Sequence, residues 1–253
     1  MAAEAAIHIA LAPYVLGHIG SFPITSTLLT SWLVVAVLVV FAVVFSRSIK
    51  LVPGKGQVAV ETLVSFVYEY IKETLDGSER MARRYFPLIL TLFVFIFTAN
   101  IVGLLPFIGA VGIHTAGGAH GGLLPLFYPV NTDLNVTLAL AIIAFVAIEF
   151  AGITALGVLK YGSKFVNLHS VLGFAVGIIE LVSEVARLVT FSFRLFGNIF
   201  AGKVLILLAL AFMPYFLPVP LLVYEVLVGV IQAAIFSLLT LFFIKIAVAE
   251  PQH

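Results

Sequence analysis

The chain has 253 residues, 62% of them hydrophobic and only 10% charged, with a mean hydropathy of +1.22. No soluble domain of this size could hide so much apolar surface, so the composition specifies a polytopic membrane protein. A net charge of +1 with no basic run gives no footing for nucleic acid, and the absence of cysteine excludes disulfides and thiolate metal sites.

The first twenty residues carry no basic segment ahead of their apolar part, which argues against a cleavable signal peptide. The first predicted span is 28–46, long enough to cross a bilayer core, and a basic turn broken by Pro53 and Gly54 follows it. Residues 55–76 differ in kind. Val60, Leu63, Val64, Val67 and Ile71 fall on one helical face, while Glu61, Ser65, Glu69, Lys72 and Asp76 fall on the other. That pattern predicts an amphipathic helix on the membrane surface, with a small soluble helical hairpin as the alternative.

Two clearer spans follow at 85–107 and 134–159, the first expected to stop at Pro106. A Gly/His-rich loop separates them; its His114 and His120 are too sparse a set for a metal site. The stretch 165–212 contains no proline, and as one helix it would be roughly 70 Å long against a hydrocarbon core of about 30 Å. It is therefore either broken in two or strongly aslant. A proline-rich turn leads into a last long element at 221–249, so the two read as a tilted hairpin. The expected fold is an all-α polytopic membrane protein: one integral domain with five crossings and one amphipathic surface helix.

Basic residues set the expected orientation. Arg47, Lys50, Lys55, Lys72, Arg80, Arg83 and Arg84 lie between the first and second crossings, and Lys160 and Lys164 follow the third; residues 1–26, 108–132 and 213–222 have no Lys or Arg. The positive-inside rule then puts the N-terminus outside and the C-terminus in the cytoplasm.

The fifth element carries the chemistry. Glu180, Glu184, Arg187, Phe191, Arg194 and Asn198 recur at spacings of three and four, so they share one helical face. The last element adds Glu225 and Gln232, seven apart. Charged groups at this depth are costly and functional by default, although Glu184 with Arg187, or Lys203 with Glu225, would also staple the hairpin. Arg194 has no acid one turn away, so its counter-charge must come from another helix or another subunit. A self-contained ion-coupled secondary transporter is the competing function; the lack of internal repeats and paired broken helices counts against it.

Four stretches, "VPGKGQVAVE" (52–61), "TDLNVT" (132–137), "RLFGNIFAG" (194–202) and "VIQAAIFSLLTLFF" (230–243), resemble in order the subunit a family of the F-type ATP synthase membrane sector. The resemblance implies a proton-conducting stator in a bacterial inner membrane, with two offset half-channels. Its partners would be a rotor ring of small proteolipid subunits, peripheral-stalk subunits and, through the stalks, the soluble ATPase sector. No cofactor or metal is implied. By the same matching Arg194 is the essential arginine facing the ring carboxylates, Asn198 and Gln232 line the region beside it, and Glu180 belongs to the inside half-channel. Asp133 and Asn135 match the outside entrance, with helix capping as their alternative. This chain has Lys203 where many bacterial relatives carry an acid, and Glu225 where many carry histidine, which suggests a paired site with exchanged partners. Glu149 matches no family role; an inlet ligand and a partner for Lys203 remain equal alternatives.

Overall fold

The computed structural model describes residues 13–114, 123–162, 165 and 171–249. His120, most of the N-terminal stretch read for a signal peptide, and nearly all of the expected start of the fifth element at 165–170 lie outside them. Among the described residues, seven helices and two short hairpins follow in order.

β1 (Val15–Ile19) and β2 (Phe22–Thr25) pair antiparallel across a turn in which Gly20 takes a φ of 64°. α1 (Ser26–Ser48) begins two residues earlier than expected because the Thr25 hydroxyl accepts from the Leu28 amide at 3.2 Å, an N-cap the hydropathy pattern hides. α2 (Lys55–Thr74) is the amphipathic helix, and α3 (Glu79–Gly103) starts a full turn and a half before the expected 85. It also ends before 107, since Pro106 disfavours helix at the residue preceding it.

β3 (Gly112–His114) pairs with β4 (Leu123–Pro125), and a short 3-10 turn leads to α4 (Leu134–Leu156). Gly157, at a φ of 82°, ends α4, and the short α5 (Val158–Gly162) takes up residues expected to continue it. α6 (Val171–Phe212) is one unbroken helix of 42 residues, which removes the two-piece alternative. α7 (Pro218–Val248) starts before the expected 221, since Pro218 and Pro220 sit in its first turn, where a missing amide hydrogen is no loss. At 1.5 Å per residue the two helices are about 63 and 46 Å long, so neither fits upright in a core of about 30 Å. Among the described residues, five helices, α1, α3, α4, α6 and α7, are long and apolar enough to cross a membrane.

The chain packs as two compact units, and each of these five helices contributes to both. One comprises 1–41, 95–137 and 194–233, with a core of Val34, Ala99 and Val130 against Leu38, Phe95, Val102 and Val136. In it the Thr27 hydroxyl donates to Asp133 Oδ2 at 2.6 Å and Ser26 donates to the Pro125 carbonyl, fastening the start of α1 to the loop before α4.

The other unit comprises 42–94, 138–193 and 234–253. Its core joins Ile71 and Leu75 to Ala82, Tyr85 and Ile89, to Ile148 and Ala151, and to Leu241, Ile244 and Ala247. α2 therefore packs onto the spans rather than forming a hairpin of its own. Its inner face holds Val60, Val64, Val67 and Ile71 as expected, but Leu63 at the edge of that face is exposed. Lys245 bonds Asp76 at 2.7 Å in the same unit.

Candidate functional site

Burial along α6 recurs every seven residues in two runs, Gly177, Glu184 and Phe191, then, after a step of four, Leu195, Gly202 and Ala209. The polar stripe lies on the rim of this buried face, so its members part company. Phe191 turns inward, its ring 5.1 Å from that of Phe236 and 5.8 Å from that of Phe243. Glu184 is buried and accepts from Arg187 at 2.7 Å, while the Arg187 guanidinium lies 3.9 Å over the Phe243 ring. That pair is a staple within the helix, with a cation–π contact completing it. Glu180 is half-buried on the same helix.

Arg194 and Asn198 stay exposed. Among the described residues nothing forms an ion pair with Arg194. Beside it, the Asn198 amide donates to Gln232 Oε1 at 2.7 Å, and Gln232 is 2% exposed. The structure thus brings Asn198 and Gln232 together as a neutral amide pair, with the Gln232 Nε2 left without a partner among the described residues.

Lys203 and Glu225 line one cavity of about 480 Å³ together with Asn100, Asn131 and Thr132 and a mostly apolar remainder. No ion pair joins them among the described residues. The Lys203 ammonium instead lies 3.1 Å from the centre of the Tyr128 ring, a face that suits a cation in an apolar setting. Burial, and secondarily Tyr14 at a ring distance of 5.1 Å, pushes the Tyr128 phenol up to about 12, so Lys203 rests on a neutral ring. The Glu225 carboxylate packs against the bare Cα of Gly202, where any side chain would collide with it. Glu225 is 4% exposed and its Oε1 has no partner among the described residues.

Asp133 behaves as a cap. Its Oδ1 accepts from the Asn135 amide at 2.9 Å and from the Asn135 side chain at 3.1 Å, and its other oxygen is taken by Thr27. Glu149 accepts from the Tyr161 hydroxyl at 3.1 Å; that ring occupies the space a side chain at Gly152 would need. Burial first, then Glu149, holds the Tyr161 phenol well above its ordinary value, so it remains a donor.

Sequence reasoning overlooked Asn100, Asn131, Tyr128 and Tyr161. Asn100 was findable: it is a lone amide in the apolar run "TLFVFIFTANIVG", and such a group needs a partner inside a bilayer. The two tyrosines gave no signal, because their partners are far off in sequence or belong to another element.

A family model described as ATP synthase A chain matches residues 28–245. The chain belongs to the ATP synthase A chain family. Relatives named ATP synthase subunit a include those of Campylobacter jejuni subsp. doylei, 36% identical over 87% of this chain and 89% of the relative, and Campylobacter concisus, 32% identical over 87% and 88%. That of Moorella thermoacetica is 30% identical over 92% and 94%. Family membership and the five spanning helices make this chain a multi-pass bacterial subunit of the F-type ATP synthase membrane sector, working alongside the other subunits of that enzyme.

Proposed function

We propose that this chain is the proton-conducting stator, holding Arg194 toward the carboxylates of a passing ring of small proteolipid subunits and providing an offset half-channel to each side. The observation that carries the reading is Arg194 itself, exposed on a spanning helix and without an ion pair among the described residues. A guanidinium stays charged even when desolvated, so it favours an ionised ring carboxylate and blocks a direct leak between half-channels. The Asn198–Gln232 pair supplies polarity beside it without a competing charge.

In this reading the cavity holding Lys203 and Glu225 belongs to the outside half-channel, and Glu180 to the inside one. Asp133 and Asn135 support the outside entrance as its cap. The N-terminus is outside and the C-terminus cytoplasmic, and peripheral-stalk subunits hold the chain against rotation. The unbroken α6 counts against a self-contained transporter, whose sites form at interrupted helices.

Arg194→Ala should abolish ATP-driven proton pumping and gradient-driven ATP synthesis while the subunit still assembles, and Arg194→Lys should be severely impaired. Both rates are measured on assembled complexes in vesicles. Normal coupled pumping by the alanine variant would rule out the stator-charge role.

A further inference from the structure

Three polar groups form a one-way chain in the unit that contains the cavity. The Gly229 main-chain carbonyl can only accept, and Asn100 Nδ2 donates to it at 2.9 Å. This fixes the Asn100 amide, so its Oδ1 faces Asn131, whose Nδ2 donates to it at 2.7 Å. Reversing either amide would set two acceptors or two donors against each other. The approach is close, since a side chain at Gly229 would meet Asn100 Cβ at 3.1 Å. Asn131 is 1% exposed, and its remaining oxygen has no partner among the described residues. The carbonyl of Gly229 thus fixes the sense of both amides, and the unpartnered side-chain oxygen of Asn131 is an acceptor.

Glu225, which lines the same cavity, also has an acceptor without a partner among the described residues, its Oε1. The cavity's other polar groups are already committed: the Thr132 hydroxyl donates to the Pro129 carbonyl at 2.7 Å, and Lys203 lies on Tyr128. Among the described residues that line it, Lys203 and Glu225 are the only titratable side chains. A buried acceptor left bare is destabilising, and an occupant that donates would relieve it. A volume of about 480 Å³ leaves room for several waters.

We propose that Asn131 is an ion-holding residue: its Oδ1 and the Glu225 carboxylate together accept a cationic occupant, hydronium or hydrated sodium, in this chamber. Asn100 and Gly229 are positioning groups that keep the Asn131 oxygen turned inward. The inference rests on the reading of the chamber as the outside half-channel.

The test is ATP synthesis by the assembled complex in vesicles, with outer pH varied at fixed inner pH and potential. Asn131→Leu should shift the outer profile about one unit toward acid, the tenfold that one hydrogen bond to a charged group can carry. Its maximal rate and inner pH profile should stay near those of the unmodified complex. Asn131→Asp, which keeps an acceptor, should shift far less. A Leu profile that overlays the unmodified one, while Glu225→Gln shifts its own, would overturn the inference alone. An unshifted Glu225→Gln profile would overturn the half-channel reading beneath it. Varying outer sodium at fixed pH separates the two cations, since only sodium as occupant gives an Asn131-dependent response. If the Leu variant fails to assemble, Asn131→Cys in this cysteine-free chain carries the test. Silver ion added outside should inhibit that variant and spare the unmodified complex; an unreactive thiol would sink the proposal.

Discussion

At the residue scale, the two charges expected to pair across the last two helices share a chamber without touching. Lys203 is held by the Tyr128 ring, and Glu225 by the gap at Gly202. Coupling between them must then pass through the chamber rather than through a shared hydrogen bond. We expect a double-mutant cycle of Lys203→Met and Glu225→Gln, read as pumping rate in assembled complexes, to give non-additivity of about 0.5–1 kcal/mol. Strict additivity would mean that each residue acts alone. A larger coupling would show that the ammonium leaves Tyr128 to bind the carboxylate directly. Glu149 accepts from the Tyr161 hydroxyl, a residue that neither alternative for it named.

At the element scale, the rim position of the stripe on α6 changes which residues can meet a partner. Phe191 shares the stripe's spacing, yet its ring is buried against α7. The outward neighbours of Arg194 at helical spacing are Thr190, Ala201 and Leu205, all exposed. Cysteines replacing Thr190 or Ala201 should crosslink to the carboxylate-bearing helix of the ring, whereas Phe191→Cys and the exposed Val189→Cys should react little. Equal yields at Ala201 and Val189 would refute this orientation of α6. The sequence disclosed the stripe through its period but not its depth. A periodic pattern reports angle around a helix, whereas burial depends on neighbours from distant segments. The same limit explains Asp133: its position suited a cap while the family resemblance implied a channel mouth, and only the observed Thr27 and Asn135 hydrogen bonds reveal its engagement as a cap.

At the scale of the whole molecule, five spans and a surface helix were legible because twenty or so apolar residues leave few other structures available. The hairpins β1–β2 and β3–β4 were not, being a few residues each in loops without clear alternation. Helix ends moved where caps and glycines, rather than hydropathy, decide them, as at Thr25 and Gly157. The basic-residue asymmetry makes a prediction about the molecule in its membrane. Single cysteines at Phe216, in the exposed α6–α7 turn, should be labelled by impermeant thiol reagents only from outside, and those at Ser48 only from the cytoplasm. The opposite pattern would invert the topology and with it the assignment of the chamber.

The bare Cα of Gly202 beneath the Glu225 carboxylate makes positions 202 and 225 tenants of a single volume, although twenty-two residues of chain separate them. A methyl group added at one must displace the other. What this chain can accept at the two sites is therefore constrained as a sum of sizes: a variant with a side chain at the first position has room only for a smaller or differently aimed group at the second.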